Sequence, residues 1–278
     1  MITYNSGTPM YGDRWLNYTE PSLPPLANSA YIVRVKTLPG MQPILNPLNG
    51  LYNLFEIDTV ANNVYDVKLS KDHDPAGGWE DLFYDTQAQW GENVSIIEVL
   101  GMNTVIPYSD PFTPDTPYVM RDAAGMFQHC INLRKVSCDI DFSASYLNGS
   151  VAGMFEGCWN LKEVQNVKLT EISNIDRMFE GCSSLQSVNL QTDSSLTSIS
   201  EAFNYAGLTA IPTFNVTNVV DASSAFRDCR FAESNITGMY NTLANNGHIT
   251  NYSQTFRNCG ISSTQGQQEW SQIPASWK

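Results

Sequence analysis

The chain has 278 residues, and 15 Lys+Arg against 28 Asp+Glu give a formal net charge of −13. That length allows one large domain or two small ones with a real core. Such acidity argues against wrapping nucleic acid, whose phosphates require Lys and Arg, and against an anionic membrane surface. No apolar run approaches the roughly 20 residues that span a bilayer. Only 15% of residues are charged while Asn occurs 25 times, so the surface is built mainly from uncharged polar groups.

The chain opens Met1-Ile-Thr-Tyr-Asn-Ser-Gly7, with neither a basic n-region nor an apolar h-region. No secretory leader is visible there; either one was removed or the protein leaves its cell by another route. Residues 1–29 form an arm with Tyr4, Tyr11, Trp15 and Tyr18, several Pro and little periodicity. An aromatic stretch that cannot build its own core either packs on its own domain or becomes ordered on a partner. Residues 30–95 read as a small β cap. Tyr31–Lys36, Leu54–Ile57 and Val64–Leu69 alternate as strands do, and Pro39-Gly40 and Lys71–Gly78 supply turns. Ten acids lie between Glu56 and Glu98 against Lys68 and Lys71 alone, which marks this front as a place for an electrostatic contact.

From about residue 96 the chain repeats. Met126-Phe127-x-x-Cys130, Met154-Phe155-x-x-Cys158, Met178-Phe179-x-x-Cys182, Ala202-Phe203-x-x-Ala206, Ala225-Phe226-x-x-Cys229 and Thr255-Phe256-x-x-Cys259 align, with Phe-to-Phe steps of 28, 24, 24, 23 and 30 residues. Leu133/Val136, Leu161/Val164 and Leu185/Val188 follow the Cys on the same clock. Unit four runs one residue short, with Leu208 and Ile211. Each unit predicts a short strand alternating with a turn or single helical turn that carries Phe and Cys. One such unit cannot bury its apolar face alone, but stacked neighbours can. After Cys229 the strand pattern gives way to Asn235–Ala244, which reads as a short helix ended by Gly247.

The pattern small-x-Met-Phe-x-x-Cys-x-x-Leu-x-x-Val resembles the BspA-type leucine-rich repeat of bacterial surface proteins and of virion proteins of phages infecting gut bacteria. The resemblance covers residues 96–278. Trp79–Phe83 with Ile96–Gly101 is similar to an opening unit, and Gln268–Lys278 to a closing tail. It implies an α/β repeat solenoid of parallel strands with short helical or turn segments, used for adhesion or display, with no catalytic residues. Ala206 in place of Cys, and the changed unit after Cys229, depart from it.

Candidate chemistry is sparse. Cys130, Cys158, Cys182, Cys229 and Cys259 share one repeat position and read as small buried thiols, since column neighbours on the bulky side lie too far apart for disulfides. Cys138 stands outside the column. No Cys-x-x-Cys spacing suggests zinc. Asp72-His73-Asp74 precedes Pro75-Ala-Gly-Gly and reads as a solvated turn rather than a ligand set. Asp139-x-Asp141 lacks the other ligands of a calcium loop. His73, His129 and His248 are the available bases, and none sits in a triad pattern.

The expectation is therefore a non-enzymatic structural or binding protein without cofactor or metal. The repeat core is assigned to Phe127, Cys130, Leu133, Phe155, Cys158, Leu161, Phe179, Cys182, Leu185, Phe203, Leu208, Phe226, Cys229, Phe256 and Cys259. The leading reading is a phage virion component such as a head fibre, capsid decoration or tail-associated protein. Its arm would bind other virion proteins, and its repeats a host-surface glycan or protein. The alternative is a bacterial cell-surface adhesin or lipoprotein domain. Fibres commonly assemble symmetrically, so a homo-oligomer fits the first reading.

Overall fold

The computed structural model describes residues 31–46, 55–69, 81–89, 91–106, 118–119, 123–142, 149–230, 235–260 and 263–278. The arm with Tyr4, Tyr11, Trp15 and Tyr18, and the Asp72-His73-Asp74 turn, lie outside these residues. In chain order the front strands are β1 (Tyr31–Thr37), β2 (Phe55–Ala61), β3 (Val64–Leu69), β4 (Ile96–Met102), β5 (Val105–Ile106) and β6 (Tyr118–Val119). The repeats contribute β7 (Lys135–Val136), β8 (Ile140–Asp141), β9 (Gly149–Ser150), β10 (Glu163–Val164), β11 (Asn166–Leu169), β12 (Ile172–Asn174) and β13 (Asn189–Thr192). Helices α1 (Ile236–Asn245) and α2 (Thr264–Gln272) and a 3-10 turn at Ala275–Trp277 close the chain.

At the front, β2 and β3 form a hairpin around Asn63, whose φ of 59° suits a tight two-residue turn. Strand β1 lies between β3 and β4, antiparallel to both. Its Ile32, Val33 and Val35 are buried, and so is Arg34. Arg34 faces Asp66 directly across the β1–β3 pair and holds it with two bonds of 2.5 and 2.8 Å. A buried guanidinium is tolerated because its planar fork finds a matching carboxylate.

The largest sheet has the order β10-β7-β4-β1-β3-β2. It is antiparallel from β2 to β4 and parallel from β4 through β7 to β10. This corrects the expected parallel α/β repeat solenoid. Strand β4, in the segment read as similar to an opening unit, is parallel to β7 on one side and antiparallel to β1 on the other, so the sheet is mixed. Strands of the repeat region are two to four residues long. Their Phe–Cys segments are turns, and the described α-helices are confined to the last part of the chain. The physical reason is local. In the six repeats, residues two before and two after the Phe take φ between +54° and +71°, which no right-handed helix accommodates.

These turns stack. Rings of Phe83, Phe127, Phe155, Phe179, Phe203, Phe226 and Phe256 form one column with centroids 5.2–5.7 Å apart and planes within 15° of parallel. All seven are fully buried, as are Cys130, Leu133, Cys158, Leu161, Cys182, Leu185, Leu208, Cys229 and Cys259. Each turn and its strand residues make one tier. Tiers are also joined on their other sides by the parallel β8–β11–β13 ladder and by single bridges through Asn174, Ser198, Asp221 and Asn251.

Candidate functional site

The surface that distinguishes this molecule is the face made by the stacked turns. From the Phe155 turn onward, each turn is opened by a short polar residue five before the Phe: Ser150, Asn174, Ser198, Asp221 and Asn251. Asn174 accepts from Asp176 N at 2.7 Å and Asp221 from Ser223 N at 2.8 Å, so side chains fix the backbone direction. Within a tier, local bonds such as Met178 N to Ile175 O and Cys182 N to Phe179 O tighten the turn. The amides between them point to the next tier: Gly153, Phe155 and Gly157 donate to the carbonyls of Asp176, Met178 and Glu180. Arg177, Phe179 and Gly181 donate in turn to Ser200, Ala202 and Asn204. The described amides two before, at and two after each Phe run one way, from each tier to the next, giving a rigid, polar backbone ladder.

The left-handed positions explain why glycine recurs at Gly125, Gly153, Gly157 and Gly181. Arg177, Glu201, Ser224, Gln254, His129, Tyr205, Asp228 and Asn258 hold the same conformation without being glycine. Each bears a steric cost of roughly 1–2 kcal/mol, which the tier bonds must offset. The thiols support the ladder too. Cys158 donates to Phe127 O at 3.1 Å, Cys182 to Phe155 O at 3.1 Å and Cys229 to Phe203 O at 2.9 Å. Burial pushes these thiols well up from their ordinary range, so they act as weak donors and not as nucleophiles. Half-buried Cys138 is likewise pushed up to about 12, first by burial and then by Asp139.

Side chains of the turns form columns along the face. One column holds Gln128, Glu156, Glu180 and Asn204 in successive tiers, with Gln128 donating to Glu156 and Asn204 to Glu180, each at 3.0 Å. Burial, with the carboxylates of Glu201 and Glu156, pushes Glu180 up to about 7, opposed by the Asn204 bond and by Arg177. Arg177 bridges to Glu201 at 2.9 Å and lies 3.8 Å from Glu180. No group of three or more His, Cys, Asp or Glu among the described residues is placed to hold a metal ion. Asp139 accepts from Asn166 and Asp141 pairs with Lys168 across neighbouring strands.

Beside this column lies an open groove of about 490 Å³, lined by Trp159, Glu180, Gly181, Ser183, Tyr205, Ala206 and Gly207 together with Asp228 and Arg230. Trp159 and Tyr205 are 48% and 52% exposed, and with Val220 they are the exposed large apolar residues of the described chain. The recess coincides with the short fourth unit. Gly207 packs so closely that a Cβ there would lie 2.2 Å from the Ser183 carbonyl oxygen, and Ala206 stands where other tiers have Cys. Small residues thus form the floor of the groove between two aromatic walls.

The residues assigned to the repeat core come together as the buried column behind this face, not on it. Sequence reasoning passed over Trp159 and Tyr205. Their signal was a large aromatic at turn positions where neighbouring units carry Ser183 or Gly181. His129 holds one of the left-handed positions with its ring edge-on to Tyr84 at 6.2 Å, and His248 is exposed. No described helix is long and apolar enough to cross a membrane. No curated protein and no solved structure matches the chain. Residues 149–270, which include the groove, match a family model described as Mycoplasma protein of unknown function, DUF285.

Proposed function

We propose that this chain is a non-enzymatic binding protein that presents its turn face to a ligand on a cell surface. The observation that carries the reading is the exposure of Trp159 and Tyr205 on a backbone that is locked tier to tier. Exposed aromatics on a rigid scaffold offer contact area at little entropic cost, which is the economy of a binding surface. In this reading the protein is a virion component, a head fibre, capsid decoration or tail-associated protein. The 1–29 arm attaches to neighbouring particle proteins, and the turn face points outward.

A second reading is a bacterial cell-surface adhesin or lipoprotein domain; the family description names a bacterium, Mycoplasma, and no function. The matched model is not described as a leucine-rich repeat, so the resemblance to BspA-type proteins stands as part of this proposal. Mass spectrometry of purified particles and of washed cell envelopes separates the two. The virion reading expects the chain at stoichiometric level in particles, and its confinement to envelopes would overturn that reading. Loss of particle attachment on deleting residues 1–29 is the companion expectation.

A further inference from the structure

We infer that the groove between Trp159 and Tyr205 is a carbohydrate-binding site, taking a neutral oligosaccharide of at least three pyranose units; this rests on the surface-binding reading above. The argument begins with size. A stable protein interface buries about 800 Å² per partner around an apolar centre. Here the large apolar exposure in the groove is confined to two rings, standing on a floor of Gly181, Ser183, Ala206 and Gly207. That is too little for a protein hot spot but suits a small amphipathic ligand.

Next comes chemistry. An aromatic face is the negative part of its quadrupole and attracts weakly positive C–H groups, which one face of a pyranose ring presents. The indole of Trp159 passes over the Gly181 backbone, where an added Cβ would lie 3.8 Å from its Cδ1, so the ring is supported from below. On the other wall the Arg227 guanidinium sits 5.9 Å from the Tyr205 ring centroid and braces it. Sugar hydroxyls need acceptors and donors at the edge, and Glu180, Asp228 and Arg230 supply both. Glu180 has one oxygen engaged by Asn204, and Asp228 is oriented by Arg227 at 3.0 Å and Asn258 at 2.8 Å.

Spacing then sets the length. Trp159 belongs to the Phe155 tier and Tyr205 to the Phe203 tier, two steps apart in a column whose rings are separated by 5.6 and 5.7 Å. A pyranose unit is about as long as one tier step, so the two rings address alternate units of an extended chain. The lining sets Glu180 and Asp228 against Arg230, and Asp228 is paired with Arg227, so the groove carries no excess of positive charge to draw a polyanionic glycan.

Calorimetric titration of the full chain with cellotetraose, chitotetraose and maltotetraose, and with a heparin tetrasaccharide as polyanion, tests the inference. At least one neutral sugar is expected to bind with a Kd on the order of 0.1–1 mM. Trp159→Ala and Tyr205→Ala should each weaken it tenfold or more, heparin should not bind, and Val220→Ala should keep full affinity. Unchanged melting temperatures of the two aromatic variants exclude unfolding as the cause. Binding by none of the neutral sugars, or equal binding by both aromatic variants, would overturn the site. A parallel assay on a panel of gut and oral bacterial cells separates the two levels. Cell binding that survives periodate oxidation and the double aromatic variant overturns the glycan inference alone. Neutral sugars bound in the calorimeter with no adhesion to any cell overturns the surface reading instead.

Discussion

The turn ladder is closed by opposite chemistry at its two ends. At the front, the Leu82 carbonyl, which has no earlier tier to accept from, takes the amide of Asn46 at 2.9 Å. Asn93 fastens that segment in place, its Nδ2 donating to Ile44 O at 2.9 Å and Phe83 O at 2.6 Å. At the back, the Phe256 amide has no later tier to donate to and finds the Trp277 carbonyl at 2.9 Å. The Trp277 ring stacks on Tyr252 at 4.4 Å and packs edge-on to Tyr240 at 5.4 Å, covering the last Phe. A ladder whose amides beside and at the Phe point one way has a donor end and an acceptor end. Each needs its own cap, because buried backbone groups must be paired. The front cap is a polar clamp, and the back cap is an aromatic lid that brings one carbonyl with it.

The two caps should therefore fail differently. The largest effect is expected at the front. Asn93 is fully buried, and Asn93→Asp would turn a donor that serves two carbonyls into a carboxylate facing them. A loss of about 4–5 kcal/mol is expected by urea denaturation, in the range for an unpaired buried charge. At the back, Trp277→Ala removes the lid and should cost about 3 kcal/mol, as large aromatic truncations do. Because it bares Phe256, it should also promote end-to-end association, read by sedimentation.

Between the caps the effects are smaller and depend on conditions. Glu180 holds its proton to a higher pH in the folded chain than in the unfolded one. Its contribution is therefore fully present below the usual carboxylate range and is lost as pH rises through about 7. Glu180→Gln should abolish that slope, melting higher than the parent at pH 8 and equally at pH 4. The smallest change is expected at Ser224, whose φ of 54° is left-handed. Ser224→Gly relieves backbone strain but frees the unfolded chain, for a net gain of about 0.5–1 kcal/mol. A destabilising result there would mean that the non-glycine turn residues are unstrained.

Much of the stack was legible in the sequence and its geometry was not. The Phe and Cys spacing gave the column, because a residue repeated every 23–30 positions and always apolar must be buried against its own copies. Gly153, Gly157 and Gly181 hinted at left-handed turns, yet Arg177, Glu201 and Gln254 occupy the same place and announce nothing. A helix and an alternating left- and right-handed turn both bring Phe and Cys, three residues apart, to one side. Periodicity therefore could not reject the short helices of a solenoid. The antiparallel pairing of β1 with β4 joins segments about 60 residues apart, and local pattern holds no record of it. Trp159 and Tyr205 were unreadable as a pair until the stack set them two steps apart.

Amide hydrogen exchange across the turns tests the ladder most directly. If the tiers are locked as described, the amides of Gly153, Phe155, Gly157, Arg177, Phe179, Gly181, Glu201, Phe203 and Tyr205 should exchange together, at the rate of global unfolding. Rapid, independent exchange of these amides, as in ordinary surface loops, would contradict the ladder and leave the turn face without a rigid base.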